Sequence, residues 1–152
     1  MDIRPKTLSI VQMVGYKEEG LVGVLTDEIC WDVYALGQDF IEGMLDTVYS
    51  DGPVYFKSYP FSDLESVAIF TTFGNKITPT GEEVGPLLFE EKILIESDDF
   101  ATFLSDNLSE YYEALASKYS GKPLDNLAVY HVLYHPSETS VVVDAYSSWE
   151  ED

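Results

Sequence analysis

The chain predicts an α+β domain in which a strand–helix–strand–strand unit occurs twice. Three observations predict it. Each half holds one stretch with apolar residues at helical steps, and each such stretch follows one strand-like run and precedes two more. Between the halves lies "GNKITPTGEEVGP", Gly74 to Pro86, whose glycines, prolines and threonines mark a connection. The expected organisation is a single domain over residues 1–152, with a first half at about 5–73, the connection at about 74–86 and a second half at about 88–148.

The first strand is "TLSIVQMVGY", Thr7 to Tyr16. Leu8, Ile10 and Val14 share one parity while Val11 and Met13 take the other, so it is expected to be covered on both faces. After the turn "KEEG", Thr26 can cap a helix whose first turn holds Asp27 and Glu28, where the positive end of the helix dipole favours acids. Ile29, Val33, Leu36, Phe40, Met44 and Val48 form its apolar stripe. Gly37 and Gly43 weaken that helix by roughly 1 kcal/mol each, so packing must hold it. "SDGP" ends it, and strands follow at Val54–Tyr59 and Glu65–Phe73.

The second half opens with a strand at Leu88–Glu96. A helix is expected next, capped by Ser97, Asp98 or Asp99, with Phe100, Leu104, Leu108, Tyr111, Leu115 and Tyr119 on its apolar face. Lys118, Gly121 and Pro123 together form a stop signal. Strands at Leu127–His135 and Thr139–Ser147 close the domain, and Trp149 in the acidic tail is a candidate for docking on it.

Both histidines, His131 and His135, lie in the first of these closing strands. On a helix, four residues apart would place them one turn apart, a spacing able to hold a metal. Their neighbours Val129, Tyr130, Val132, Val141, Val142 and Val143 favour a strand. At ~3.3 Å per residue the two then stand about 13 Å apart, too far for one ion with bonds of ~2.0–2.1 Å. No metal site is expected. His131 is expected to be a satisfied, partly buried histidine and His135 to sit at the hairpin's end.

A three-residue loop pairing His135 with Thr139 would set Tyr130 opposite Asp144. One face would then carry Tyr130, Val132, Tyr134, Val142, Asp144 and Tyr146, and the other Val129, His131, Leu133, Val141, Val143 and Ala145. The second set is the better partner for helices. A four-residue loop would shift the register by one and exchange the return strand's faces. The tyrosine face, mostly apolar with a few polar groups, is the kind of surface that lines small-molecule sites. Tyr130, Tyr134, Asp144 and Tyr146 are therefore the candidate ligand-binding residues.

Composition narrows the rest. The 152 residues hold 28 Asp and Glu against 8 Lys and Arg, a net charge of −20. Such a surface repels nucleic acid and anionic lipid and favours basic partners. No apolar run nears the ~18 residues that span a bilayer, and "MDIRPKTLSI" lacks the pattern of a signal peptide, so a cytoplasmic location is expected. The single cysteine, Cys30, forms neither an internal disulfide nor a cysteine-based zinc cage. No serine lies in a G-x-S-x-G elbow, and "GYKEEGLVG" lacks the G-K-[ST] ending of a phosphate cradle. The chain is accordingly expected not to be an enzyme and to use no cofactor.

The element order, with "RPKTLSIVQMVGY" as first strand, "DDFATFLSDNLSEYYEALASKY" as second helix and "LAVYHVLYHPSETSVVVDAYSS" as closing strands, resembles the GyrI-like effector-binding domain over nearly the whole chain. The resemblance implies duplicated β-α-β-β units related by a pseudo-twofold, one curved antiparallel sheet, two helices on one face and a cleft on the other. It also implies a bacterial, non-catalytic module that binds a small molecule or effector. Aligning the turn prolines puts Tyr130 where the family carries a cleft-facing glutamate, so that carboxylate is not carried over. The charge supports a different expectation, an acidic inhibitor docking on a basic protein in the manner of DNA mimics, and the resemblance to small acidic proteins of this shape implies that such a role would be that of an immunity or secretion-accessory protein.

Overall fold

The computed structural model describes residues 3–18, 33–39, 54–61, 67–72, 88–137 and 140–149. Strand β1 (Arg4–Glu18) precedes helix α1 (33–39), β2 (Val54–Ser58) and β3 (Val67–Thr72). Strand β4 (Leu88–Leu104) precedes a 3-10 turn (Ser105–Asn107), helix α2 (Leu108–Lys118), β5 (Leu127–Ser137) and β6 (Ser140–Trp149). The strand–helix–strand–strand unit is thus present twice.

All strand pairs are antiparallel, in the order β1-β3-β2-β5-β6-β4, and β4 pairs back onto β1. The order is its own mirror under exchange of the halves, with β1-β3-β2 answering β4-β6-β5. The curvature expected of the sheet is here carried to closure. A row of laterally paired residues runs from Thr102 through Asp144, Val132, Tyr55, Phe70 and Gly15 to Leu88, returning to β4 fourteen residues earlier. A stagger of that size over six strands means a tilt of about 60°, steeper than the usual ~35–45°. The ring is a steeply coiled ribbon, unlike an upright tube.

Gly15 allows the ribbon to close. A side-chain carbon there would lie 2.2 Å from the Ile69 carbonyl oxygen and 2.4 Å from Phe70 Cβ, so β1 and β3 meet only through a bare backbone. Gly37 does the same for α1, since a Cβ would meet Val54 Cγ1 at 2.5 Å. The glycine that costs α1 helix propensity is what lets it press against β2.

The two faces of the sheet carry separate cores. On the outer face, Ala101, Ala145, His131, Phe56 and Ile69 form one row and Phe103, Val143, Leu133 and Val54 the next. Helix α2 covers them with Leu108, Tyr111, Tyr112 and Leu115, spaced i, i+3, i+4 and i+7. Burying Leu108 and Leu115 completely contributes about 1.5–3 kcal/mol each. On the inner face Ile10, Met13, Phe70, Ile95, Phe100, Ala128, Tyr130, Val132 and Tyr146 pack together.

Helix α2 ends as its sequence indicates, with Lys118 in the last turn and Gly121 at φ +84°. Its start does not. The sequence places a cap at Ser97–Asp99 and Phe100 and Leu104 on the helix, whereas β4 continues to Leu104 and the helix begins at Leu108. Phe100, Leu104 and Leu108 are spaced by four, which suits both a two-residue strand period and a helical turn. The alternation of buried Ala101 and Phe103 with exposed Thr102 and Leu104 belongs to the strand. Between Arg4↔Phe100 and Lys6↔Ser97, two residues of β4, Asp98 and Asp99, oppose one of β1, Pro5. This bulge reverses the parity of β4: Ile93 and Ile95 face inward before it, and Phe100 does so after it, while Ala101 and Phe103 face outward.

The β5–β6 register also differs from expectation. Tyr130 pairs with Tyr146, Val132 with Asp144 and Tyr134 with Val142, two residues from the predicted pairing: the strands close at Ser137↔Ser140 in place of His135↔Thr139, and the ladder shifts by one between Tyr134 and Ser137. A shift of two preserves parity, so the predicted division into faces stands. The predicted helical positions Ile29, Phe40, Met44 and Val48, Cys30, and the connection at 74–86 lie outside the described residues.

Candidate functional site

All four candidate residues line up on the inner face of β5 and β6 with side chains of β4 and β2. One row reads Phe100, Tyr146, Tyr130, Lys57 and the next Thr102, Asp144, Val132, Tyr55. The outermost row is Leu104, Val142, Tyr134. Strand alternation places these residues on one surface and sends His131, Leu133, Val141 and Val143 to the other.

The rows differ in depth. Tyr130 and Tyr146 are buried, at 6% and 4% exposure, and Phe100 stacks at a tilt on Tyr146 with centroids 4.9 Å apart. These rings form a floor. Tyr55 lies parallel to Phe70 at 5.2 Å beside them. Towards the outermost row the surface opens: Asp144 is half-buried, Tyr134 is 44% exposed and Leu104 48% exposed. The four candidates therefore divide into a buried pair, Tyr130 and Tyr146, and an accessible pair, Tyr134 and Asp144.

Asp144 is the chemical centre of the accessible part. Thr102 Oγ1 donates to its Oδ1 at 2.7 Å in an exposed contact, and Tyr134 is a diagonal neighbour across the β5–β6 pair. No cation is placed against Asp144 among the described residues. Burial, then the Asp144 charge and hydrogen bond, push the Tyr134 phenol above its usual range; burial, then the charges of Asp144, Tyr134 and Tyr55, push Tyr146 up to about 12. Both phenols stay protonated and able to donate at neutral pH. Cations approach the floor instead. Lys57 Nζ lies 5.3 Å from the Tyr59 ring centroid and 5.4 Å from that of Tyr130, and Lys6 Nζ lies 4.4 Å from that of Phe100.

His131 does not take part. It is fully buried on the outer face, stacked on Phe56 with centroids 3.8 Å apart. Its Nδ1–H donates to the Phe56 carbonyl at 3.2 Å, and its Nε2 accepts from the Tyr112 hydroxyl at 2.8 Å. Burial lowers its pKa to about 3 against the opposing pull of backbone hydrogen bonds, so it is neutral. The His135 side chain lies outside the described residues. Among the described residues no group of three or more His, Cys, Asp or Glu side chains could hold a metal ion, and no helix is long and apolar enough to cross a membrane.

The sequence reading overlooked Thr102 and Leu104, which it had assigned to the helical segment. The available signal was the alternation Ala101, Thr102, Phe103, Leu104. It also overlooked Asp99, read as a cap, whose carboxylate is buried on the outer side and engaged by Lys118, Tyr119 and Ser147.

No family model matches the chain, and no curated protein matches it. Among solved structures it is similar to SAV2435 bound to tetraphenylphosphonium, with a TM-score of 0.51 and 12% identity over 97% of this chain and 94% of that one. Likeness at that identity speaks for the fold. The α+β architecture, a six-stranded antiparallel sheet with two helices, is consistent with a GyrI-like fold.

Proposed function

We propose that this protein is a non-catalytic binding module that takes a small organic ligand at the inner face of β4, β6 and β5, with a cationic group of the ligand against Asp144. The observation that carries the reading is the setting of that carboxylate. It is half-buried among aromatic and aliphatic side chains and held by the Thr102 hydroxyl, with no cation beside it among the described residues. A carboxylate so placed is pre-oriented and partly dehydrated, which strengthens its attraction for an incoming cation. Asp144 thereby supplies on β6 the acidic group that the Tyr130 position does not supply on β5. The tetraphenylphosphonium in the similar solved structure, an apolar body around a positive charge, has the chemistry this surface would accept.

The test uses tetraphenylphosphonium beside triphenylphosphine oxide, a neutral relative of similar bulk. Calorimetry and thermal shift should show binding of the cation and weaker binding of the oxide. Asp144→Asn should weaken the cation about tenfold to a hundredfold, the worth of one charge-assisted contact at ~1.5–3 kcal/mol, and leave the oxide unchanged. If neither compound binds at millimolar concentration, the reading fails.

A further inference from the structure

Strand β1 brings positive charge to the same face. Arg4 and Lys6 share the parity of Leu8 and Ile10, so they stand on the inner side of β1 at its N-terminal end. Both are exposed, and both converge on one ring: the Arg4 guanidinium carbon lies 5.4 Å and Lys6 Nζ 4.4 Å from the Phe100 centroid. In a chain with 28 Asp and Glu against 8 Lys and Arg, a cation has abundant carboxylates to pair with. Among the described residues the ion pair is Lys118 with Asp99, on the outer side, and neither Arg4 nor Lys6 is paired with a carboxylate. Cation–π attraction at an exposed ring is modest, and two like charges over one ring oppose each other. An anion between them would relieve that repulsion.

Their place relative to Asp144 is the second observation. Arg4 pairs with Phe100 on β4, and Thr102 on the same strand pairs with Asp144 on β6. The order across the sheet is therefore a basic edge on β1, Phe100 and Thr102 on β4, and an acidic edge on β6. Two strand spacings of ~4.8 Å put the two edges about 10 Å apart. Exposed Thr102 lies between them and is hydrogen-bonded to Asp144.

Resting on the proposed binding function, we infer that Arg4 and Lys6 form an anion subsite beside Asp144, and that the ligand class is a zwitterion, an apolar body carrying a cationic group and a carboxylate-type anion. Its cation meets Asp144, its body crosses β4 over Thr102, and its anion meets the basic edge. Arg4 offers a planar fork of donors that matches a carboxylate, and Lys6 adds a second charge. A plain lipophilic cation uses the Asp144 half alone and is repelled by the other. The field of the whole molecule gives the inference a definite sign. A net charge of −20 repels an added carboxylate, so a ligand gains from carrying one only where local cations receive it.

Calorimetric titration of (5-carboxypentyl)triphenylphosphonium and of its methyl ester tests this. The two share the phosphonium and the chain, and only the acid carries an anion at neutral pH. Wild type should bind the zwitterion about tenfold more tightly than the ester. Lys6→Gln should reduce that preference to about threefold, and Arg4→Gln combined with Lys6→Gln should abolish it without weakening the ester. Asp144→Asn should weaken both compounds by a similar factor. Arg4 and Lys6 are exposed, so both variants should fold, which urea titration checks. Equal or weaker binding of the zwitterion by wild type would overturn the anion subsite and leave the binding function standing. A preference that survives the double substitution would mean that Arg4 and Lys6 serve only to cover Phe100, and would overturn their role. Binding of neither compound by wild type would overturn the binding function and this inference with it.

Discussion

Asp99 and Asp144 lie on neighbouring strands, β4 and β6, and face opposite sides of one sheet. Asp99 is buried on the outer side, where Lys118 from the last turn of α2 pairs with it, Tyr119 donates to it at 2.6 Å and Ser147 at 2.5 Å. Tyr111 adds a hydrogen bond to the Asp99 backbone carbonyl at 2.6 Å. Burial alone would raise the Asp99 pKa, but the hydrogen bonds from Lys118, Ser147 and Tyr119 outweigh it and hold the carboxyl below its usual value. Among the described residues, Asp144 accepts a hydrogen bond from the Thr102 hydroxyl and has no cation beside it. The outer face has matched its buried charge with a cation and used the match to fix α2 to the sheet, whereas on the inner face Asp144 has no counter-ion among the described residues.

The largest test of that difference is acid. His131 on the outer face is buried and neutral, with a folded pKa of about 3 against 6.5 for an exposed imidazole. The unfolded chain therefore binds a proton between these values that the folded chain refuses, so stability falls as pH drops below 6.5. The loss should be on the order of 3 kcal/mol at pH 4.5 and about 4 kcal/mol near pH 3. At a net charge of −20, acidification also relieves repulsion, so the informative quantity is the difference between wild type and His131→Gln in urea titrations. That difference should shrink as pH falls from 7 to 4.5; if it stays constant, His131 is not the acid-sensitive group. Asp99 acts in the same direction at lower pH. Its depressed pKa contributes stability above the unfolded value of 3.8, lost as pH falls through the folded one.

Next in size is removal of the outer charge. Asp99→Asn keeps the shape but weakens the contacts to Lys118, Tyr119 and Ser147, and should cost about 3 kcal/mol in urea unfolding at pH 7. Lys118 is 43% exposed and returns to water, which keeps the cost below that of a wholly buried pair. A loss under about 1 kcal/mol would mean that the bulge, and not the carboxylate, holds α2 in place.

The same contrast explains what the sequence disclosed. Face assignments on β5 and β6 were legible because alternation survives a register displaced by an even number of residues, and closure at Ser137↔Ser140 with a one-residue bulge before it leaves a net displacement of two. The doubled element order was legible from periodicity and turn residues. The β4–α2 boundary was not, since a four-residue spacing in Phe100, Leu104 and Leu108 satisfies strand and helix alike. Everything dependent on that boundary was hidden with it: Thr102 and Leu104 at the rim, and Asp99 as a buried ion-pair partner. Whether Tyr130 or Tyr134 is accessible could not be read from residue type, because depth on a closed ribbon depends on partners as far away as Phe100 and Phe70.

The smallest effect belongs to the other arm of the comparison. Asp144→Asn removes a charge whose partner, Thr102, can still hydrogen-bond the amide oxygen. The contact to Thr102 is exposed, so no buried donor is orphaned, and unfolding stability should stay within about 0.5 kcal/mol of wild type. Reducing acidic repulsion in a chain of this charge could even favour the folded state. A residue nearly neutral for stability but strongly felt in binding is one whose charge is held for something outside the fold. Should Asp144→Asn cost as much as Asp99→Asn, both aspartates would be structural, and the inner face would have no acidic charge left to offer a ligand.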